Sequence, residues 1–248
     1  GHALNFDFKH YHPKIARPVV AVRPLKELKG NPTVSYIIPT MMRQEWTQRL
    51  LTDLSNQTYV PTEVIVVDAT PPEQRKEGIY TKQEYPFQLK IHWQTTQGSC
   101  RARNEALADS SGEYIIFGDD DIRLPEDFVA AHVQFLQTYQ VPACNGLDIR
   151  ADHQAQDLTD LHRKLTELGE LRWKSGVSYM FSNANSCIHR SVLDQLKGND
   201  INYDGGYGED SDFGYSIFKA GKLVLLNPYA VNLHLKPPVG GYRHWGKE

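Results

Sequence analysis

The chain has 248 residues, with 27 Lys and Arg against 30 Asp and Glu, which gives a formal net charge of −3. Hydrophobic residues at 40% and charged residues at 23% are typical of a globular protein and exclude a disordered or fibrous chain. The near balance of charge creates no field that would recruit nucleic acid, so we expect no nucleic-acid partner.

Three widely spaced cysteines argue against a disulfide framework and against structural zinc. No apolar run reaches the roughly 20 residues that a transmembrane helix needs, and the first residues lack the apolar core of a signal peptide. We therefore expect no transmembrane segment in this chain and a cytoplasmic location, with membrane association only through a missing segment or a partner.

The first half of the chain alternates short apolar runs with helical patterns. In chain order, we predict a strand at 34–38, a helix at 45–56, a strand at 63–67, a helical stretch after Pro71-Pro72, a strand at 89–93, a helix at 99–109 and a strand at 113–117. This alternation over units of about 30 residues predicts βαβ crossovers and a mostly parallel sheet. Strands that are apolar throughout agree with burial on both faces.

The second half of the chain is less regular. We predict helices at 125–139, 157–168 and 210–220, and strands at 141–147, at 177–188 with a break at 183–185, at 222–226 and at 230–233. Residues 1–32 are predicted to form an N-terminal extension, and 237–248 a flexible C-terminal tail.

Three consecutive carboxylates, Asp119, Asp120 and Asp121, follow the strand predicted at 113–117. In a parallel sheet, ligands bind beyond the carboxyl ends of the strands, so this position favours a binding role over a solvated turn. Carboxylates this close raise one another's pKa unless a cation neutralises them, as a divalent ion with oxygen ligands does. An EF-hand is excluded because its spacing and its distal Glu are missing.

Three other features could carry chemistry. The glycine-rich loop at 205–208 brings Glu209 and Asp210 to a helix start, where they either cap the helix or supply a general base. His234, after the last predicted strand, is either structural or a nitrogen ligand of an acidic metal site. Arg103, near the start of a helix, either forms a surface salt bridge or meets phosphate oxygens.

Five segments occur in an order and spacing that match one enzyme family over roughly residues 33–236. They are Tyr36-Ile-Ile-Pro-Thr40, Val64-Ile-Val-Val-Asp68, Gly98-Ser-Cys-Arg-Ala-Arg-Asn-Glu-Ala-Leu107, the strand that precedes Asp119-Asp120-Asp121, and Ser182-Asn-Ala-Asn185 followed by Gly208-Glu209-Asp210. Together they resemble glycosyltransferase family 2, the inverting nucleotide-sugar transferases with the GT-A fold.

This resemblance implies a single α/β domain of the GT-A type, the nucleotide-diphospho-sugar transferase fold, with a mostly parallel central sheet and helices on both faces. Residues 33–121 would form the nucleotide-binding half and residues 122–236 the acceptor-binding half. The implied reaction is metal-dependent and inverting, and it moves a sugar from a nucleotide-diphosphate sugar, expected to be a UDP-sugar, to a hydroxyl of a glycan, a lipid-linked or another acceptor.

The resemblance also implies roles for individual residues. Asp210 would be the general base, and Asp121 and His234 would bind Mn²⁺ or Mg²⁺. Asn185 and Glu209 would contact the acceptor or donor sugar. The implied nucleotide contacts are Pro39, Thr40, Asp68, Arg103, Asp119 and Asp120.

The chain departs from the family pattern where Gly118 replaces the usual Leu, which leaves the register of the acidic run open between Asp119/Asp121 and Asp120/Asp121. Two other function classes remain open. One is a non-catalytic nucleotide-sugar or glycan-binding module of the same fold. The other is a sugar-1-phosphate nucleotidyltransferase, although Pro39-Thr-Met-Met-Arg43 stands where that class carries a glycine-rich loop with Arg and Lys.

Overall fold

The computed structural model describes residues 20–151, 157–169, 173–205, 207–238 and 240–242. The strands are β1 (Val20–Ala21), β2 (Val34–Thr40), β3 (Glu63–Asp68), β4 (Gln88–Trp93), β5 (Tyr114–Gly118), β6 (Ile122–Arg123), β7 (Ala143–Arg150), β8 (Lys174–Ser175), β9 (Val177–Ser178), β10 (Asn185–His189) and β11 (Val224–His234). The helices are α1 (Gln44–Ser55), α2 (Ser99–Asp109), α3 (Phe128–Tyr139), α4 (Leu158–Leu168), α5 (Arg190–Leu193) and α6 (Glu209–Lys219).

Nine of the described strands form one sheet in the order β4-β3-β2-β5-β10-β7-β11-β6, with β9 also paired to β11. The first four strands in this order are parallel, as the sequence predicts. The second half is mixed, because β10 runs antiparallel to both β5 and β7 while β11 runs parallel to β7. The parallel part of the sheet therefore coincides with the βαβ units.

Helices cover both faces of this sheet. Strands β2, β3 and β5 are buried at every position, which explains their continuous apolar sequences. One face packs Leu50 of α1 and Phe128 of α3, and the other packs Ala102 of α2 and Phe213 of α6. The sheet is the centre of an α/β sandwich, and its strand ends are left to form the site.

Several predicted elements differ from the structure. The stretch after Pro71 forms only a 3₁₀ turn at Pro72–Gln74. The two strands predicted at 222–226 and 230–233 are one strand, β11, whose register against β7 shifts between Leu226 and Val231. Pro228 lies in this irregular stretch, and a proline cannot donate to the ladder, so it is tolerated at a bulge.

The described parts of both predicted terminal segments contact the domain. In the N-terminal segment, the amide of Arg23 donates to the hydroxyl of Tyr139 at the end of α3, 2.7 Å away. In the C-terminal segment, the amide of Gly241 donates to the carbonyl of Met41 (2.8 Å), and the Tyr242 hydroxyl donates to Gln94 Oε1 (3.1 Å). The rest of the predicted tail, 243–248, lies outside the described residues, and the domain boundaries stay predictions. None of the described helices is long and apolar enough to cross a membrane.

Candidate active site

Three side chains form a possible metal-binding group at the carboxyl edge of the sheet. Asp119, Asp121 and His234 each offer one ligand atom, and these atoms all lie within 4.8 Å of one another. Asp119 and Asp121 lie between β5 and β6, and β6 pairs with the end of β11, where Ile122 is opposite His234. Two carboxylates and an imidazole fit Mn²⁺ well, whereas Mg²⁺ prefers oxygen ligands alone.

The middle carboxylate of the run points elsewhere. Thr40 Oγ1 donates to Asp120 Oδ2 over 2.7 Å, and Arg43 Nη1 donates to Asp120 Oδ1 over 3.2 Å. Burial and then the charge of Asp121 raise the pKa of Asp120 to about 7. The geometry therefore groups Asp119 with Asp121, while Thr40 and Asp120 are buried against each other. Nucleotide contacts by these two buried side chains stay predictions.

The imidazole of His234 lies between two carboxylates. Its Nε2 is 3.1 Å from Asp121 Oδ1, and its Nδ1 is 3.2 Å from Asp148 Oδ2. Burial alone would lower the pKa of His234, but these two carboxylates outweigh burial and raise it to about 10. The residues around this ring therefore hold it firmly with Nε2 on the side of Asp121.

Arg103 and Asp210 lie close to the acidic run. Arg103 Nη2 donates to Asp119 Oδ1 over 2.9 Å. Asp210, in the first turn of α6, accepts a hydrogen bond from the backbone amide of Asn183 over 3.0 Å. Burial raises the pKa of Asp210, and the charges of Glu209 and Asp119 add to this while Arg103 opposes it. A carboxylate with a raised pKa is a better proton acceptor, which suits a general base.

The other expected contacts are more enclosed. Asp68 is fully buried, and its Oδ2 accepts hydrogen bonds from Gln44 and from Tyr80, each over 2.8 Å. A contact between Asp68 and a base stays a prediction, one that requires Gln44 or Tyr80 to move. Pro39 is buried in β2 opposite Val67, and Glu209 is also buried, so neither side chain is exposed to solvent at the site. Their expected ligand contacts stay predictions.

The Asn185 side chain is enclosed within the protein. It is fully buried on β10, where His132 Nε2 lies 2.9 Å from its Oδ1. Its Nδ2 donates to Asn232 Oδ1 and to the carbonyl of Ala230. Both ends of the amide have partners inside the protein, so a contact between Asn185 and a sugar stays a prediction, one that requires this side chain to become exposed.

Three residues at the site were missed from the sequence. Arg43 lies only three residues after Thr40, so its position after a strand was a usable signal. Asp148 meets His234 through the pairing of β7 with β11, which no local pattern reveals. Tyr36 explains why a glycine stands at position 118, because a Cβ there would overlap the buried Tyr36 hydroxyl.

A cavity of about 530 Å³ lies at the opposite edge of the sheet. It is lined by residues that include Tyr114, Pro142 and His189, and by none of the acidic residues described above. The chemistry of the carboxyl edge, rather than the volume of a cavity, therefore defines the candidate site.

Sequence comparison finds similar proteins among the glycosyltransferases. The relatives include the "Putative colanic acid biosynthesis glycosyl transferase WcaA" of Escherichia coli, 35% identical over 96 residues, which cover 38% of this chain and 34% of that protein. A second relative is the "GalNAc(5)-diNAcBac-PP-undecaprenol beta-1,3-glucosyltransferase" of Campylobacter jejuni, 30% identical over 95 residues, which cover 38% of this chain and 31% of that protein. This chain thus spans about a third of the length of these curated relatives.

Solved structures show the same fold. A mannosyltransferase from Pyrobaculum calidifontis in complex with GDP-Man and Mn²⁺ superposes with a TM-score of 0.60 at 22% identity, over 89% of this chain and 62% of that one. S. aureus TarS in complex with UDP-GlcNAc gives a TM-score of 0.65 at 18% identity, over 85% of this chain and 60% of that one. The expected GT-A fold is confirmed.

The family comparison is the most direct result. The family model described as "Glycosyl transferase family 2" matches residues 35–197. This range includes all of β2 except Val34, the strands β3 to β5, the acidic run and Asn185. The chain therefore belongs to glycosyl transferase family 2.

Proposed function

We propose that this chain catalyses metal-dependent, inverting transfer of a sugar from a nucleotide-diphosphate sugar, with a UDP-sugar as the expected donor. The observation that carries the proposal is the meeting of Asp119, Asp121 and His234 at one strand edge, within 4.8 Å of one another. Arg103 and Asp210 complete the arrangement, since Arg103 contacts Asp119 and the charge of Asp119 helps to raise the pKa of Asp210. The complexes of fold relatives with GDP-Man and Mn²⁺ and with UDP-GlcNAc support a sugar-nucleotide donor and a metal.

In the proposed site, Asp121 and His234 would hold Mn²⁺ or Mg²⁺, and Asp119 would add a third ligand atom or contact the ribose. When bound, the ion neutralises the negative charge that develops on the departing diphosphate. Arg103 keeps Asp119 in place through its 2.9 Å contact and brings a guanidinium near the phosphates.

Asp210 accepts the proton of the acceptor hydroxyl as that oxygen attacks the anomeric carbon. The amide of Asn183 orients one oxygen of this carboxylate. A single displacement with one base inverts the configuration, and it needs no second carboxylate of the kind that glycosidases use.

The acceptor is proposed to be a glycan or a lipid-linked sugar. The name of the Campylobacter jejuni relative includes an undecaprenol-linked substrate. Tyr179, in the second half of the chain, is a largely exposed aromatic side chain that provides a face on which a sugar ring can stack. The cytoplasmic location stays a prediction.

A panel of nucleotides tests the proposal. Thermal unfolding is measured with UDP, GDP, UDP-sugars and GDP-sugars, each with Mn²⁺, with Mg²⁺ and with a chelator, because a ligand that binds the folded state raises the unfolding temperature. We expect a rise with one nucleotide series that needs the metal, followed by release of the nucleotide diphosphate on incubation with the donor. Binding without any turnover, with or without acceptors, would instead favour the non-catalytic module.

A matched pair of variants controls the panel. Asp121→Asn removes a proposed ligand and should abolish the metal-dependent rise. Asp194→Asn changes an exposed carboxylate on the far side of the domain and should keep it. An equal rise in both variants would contradict the metal assignment.

A further inference from the structure

A chain of polar side chains runs from the buried core to His234. It consists of His132 on α3, Asn185 on β10, Asn232 on β11 and the partly exposed Asp148 on β7, linked by hydrogen bonds in that order. His132, Asn185 and Asn232 are fully buried. Buried polar groups are costly unless they are all satisfied, so a chain of this kind requires an explanation.

The direction of each hydrogen bond follows from the Asp148 carboxylate at the end of the chain, because a carboxylate can only accept. Burial lowers the pKa of His132 to about 3, so the ring is neutral, and it lies with Nδ1 at Cys144 and Nε2 at Asn185. Asn185 Nδ2 donates to Asn232 Oδ1, and Asn232 Nδ2 donates to Asp148 Oδ1 over 2.7 Å. Every link therefore donates towards Asp148.

The backbone is adapted to this chain. A Cβ at Gly146 of β7 would overlap the Asn185 amide, so the glycine leaves room for it. In the pairing of β7 with β11, Asp148 lies opposite Asn232. Residues two apart on a strand share a face, which brings Asn232 and His234 to the same side of β11.

The Asp148 carboxylate accepts hydrogen bonds and donates none, and each of its oxygens has a different partner. Its Oδ1 takes the Asn232 amide, and its Oδ2 faces His234 Nδ1 at 3.2 Å. His234 must donate from Nδ1, and Nε2 is the nitrogen left on the side of Asp121 and Asp119. The two ring nitrogens point in different directions, so Asp148 lies behind the ring and outside the ligand group.

We propose that Asp148, oriented by Asn232, is a positioning residue that fixes His234 with Nδ1 protonated and Nε2 directed at the metal. Metal-binding histidines commonly donate their other ring N–H to a carboxylate, and loss of such a carboxylate weakens metal affinity roughly 10- to 100-fold. This inference rests on the metal site of the proposed function.

Asp148→Asn is the informative single variant. An amide has one acceptor end and one donor end, but both neighbours of Asp148 donate to it. The introduced NH₂ must therefore oppose the Asn232 amide or face His234 Nδ1, and in the second case the ring proton moves to Nε2, where it blocks the metal. The volume of the side chain hardly changes.

The double variant Asp148→Asn, Asn232→Asp provides the rescue. The carboxylate at position 232 can accept from Asn185 and from the new amide at position 148, whose oxygen can accept from His234 Nδ1. The exchange restores every donor–acceptor pair with the same atoms in nearly the same volume. A purely structural role for the charge of Asp148 predicts no such rescue.

The measurement is Mn²⁺ binding followed by electron paramagnetic resonance, without any donor or acceptor. Free Mn²⁺ gives the dissociation constant, and ¹⁴N coupling in the signal of bound Mn²⁺ reports the histidine ligand. His234→Ala is the reference for loss of the ligand. Glu113→Gln is the matched control. Glu113 also pairs with a histidine, since its Oε1 lies 3.3 Å from His189 Nε2, but this pair is not part of the proposed metal site.

We expect Asp148→Asn to bind Mn²⁺ roughly 10- to 100-fold more weakly with the ¹⁴N coupling reduced, the double variant to recover most of the affinity, and Glu113→Gln to match the wild type. Wild-type affinity and coupling in Asp148→Asn would overturn the positioning role. A folded double variant that binds Mn²⁺ roughly 10- to 100-fold more weakly than the wild type would overturn it as well, and this comparison with the wild type stands even if the single variant fails to fold.

A failure of the proposed metal site would give a different experimental result from a failure of the proposed role of Asp148. It appears in the wild type as an absence of ¹⁴N-coupled Mn²⁺, or as a signal that His234→Ala leaves unchanged. Either result overturns the proposed metal ligands and the role of Asp148 together, whereas a normal wild type with an unaffected Asp148→Asn overturns only the inference.

Discussion

Arg43 Nη1 lies 2.9 Å from Asp121 Oδ2, so a positively charged group of the protein is already paired with a proposed metal ligand. The same nitrogen is 3.2 Å from Asp120 Oδ1, and Nη2 donates to the carbonyl of Pro237. This side chain is largely buried. The guanidinium partly neutralises the acidic run, and it also connects the run to the C-terminal segment.

Removal of this charge should strengthen metal binding. In Arg43→Gln, a nearby cation no longer repels Mn²⁺, so we expect the affinity for Mn²⁺ without nucleotide to rise by about tenfold, on the scale of Coulomb interactions near a protein surface. Titration calorimetry measures it. The control is Arg49→Gln, an exposed residue of α1 that lies over the ring of Trp46. Weaker binding by Arg43→Gln would mean that the guanidinium organises the ligands rather than competes with the ion.

Asp210→Asn should lower transfer by roughly 10²- to 10⁴-fold, the usual contribution of a general base. The affinity for nucleotide should stay near that of the wild type, because Asp210 is expected to contact the acceptor and not the nucleotide. Initial rates and nucleotide titrations measure the two effects separately. Asp212→Asn, in the same turn of α6, is the control. Full activity of Asp210→Asn would eliminate the base assignment.

The pH dependence of kcat/KM should show the titration of Asp210. Burial raises its pKa, so the carboxylate gains its proton at a pH above the ordinary value of about 3.9 for Asp. The protonated acid cannot accept a proton from the acceptor. Activity should therefore fall as the pH falls through this raised pKa. Asp210→Glu should move this limb of the profile and Asp212→Asn should leave it in place; an unmoved limb in Asp210→Glu would assign it to another group.

Gly118→Ala should destabilise the protein by about 1 to 3 kcal/mol, the cost of overpacking a filled core, because its Cβ overlaps the Tyr36 hydroxyl. This hydroxyl is buried without a hydrogen-bond partner among the described residues. Tyr36→Phe should therefore be nearly neutral alone, and it should rescue part of the loss in the double variant, because the ring atoms Cζ and Cε1 would still lie 2.7 and 2.8 Å from the added Cβ. Urea unfolding gives the free energies, and additive losses in the double variant would show that the two positions do not interact.

The sequence predicts the parallel half of the fold well. In β2, β3 and β5, local apolar runs and their alternation with helices carry the information, so the strand ends at Thr40, Asp68 and Gly118 could be located to within two residues. It predicts the mixed half poorly, since β10 is inserted between β5 and β7 by long-range pairing. Strand β6 has only two residues and pairs with the distant strand β11, so no local sequence pattern predicts it.

The candidate site likewise contains some residues that the sequence could predict and others that it could not. Asp119, Asp121, His234 and Asp210 could be proposed from motifs and positions at element ends. The burial of Asn185 could not, because an Asn at the start of a strand has the same local sequence whether its amide faces a cleft or His132. The contact between Asp148 and His234 depends on the register of β7 against β11, which is set by packing of the whole domain.

The most direct test of the account is titration calorimetry of UDP against the wild type and Asp121→Ala, each with and without Mn²⁺. If the nucleotide binds through a metal held by Asp121, Mn²⁺ should strengthen UDP binding to the wild type and have no effect on Asp121→Ala. The same UDP affinity for the wild type in the presence and absence of Mn²⁺ would contradict the account.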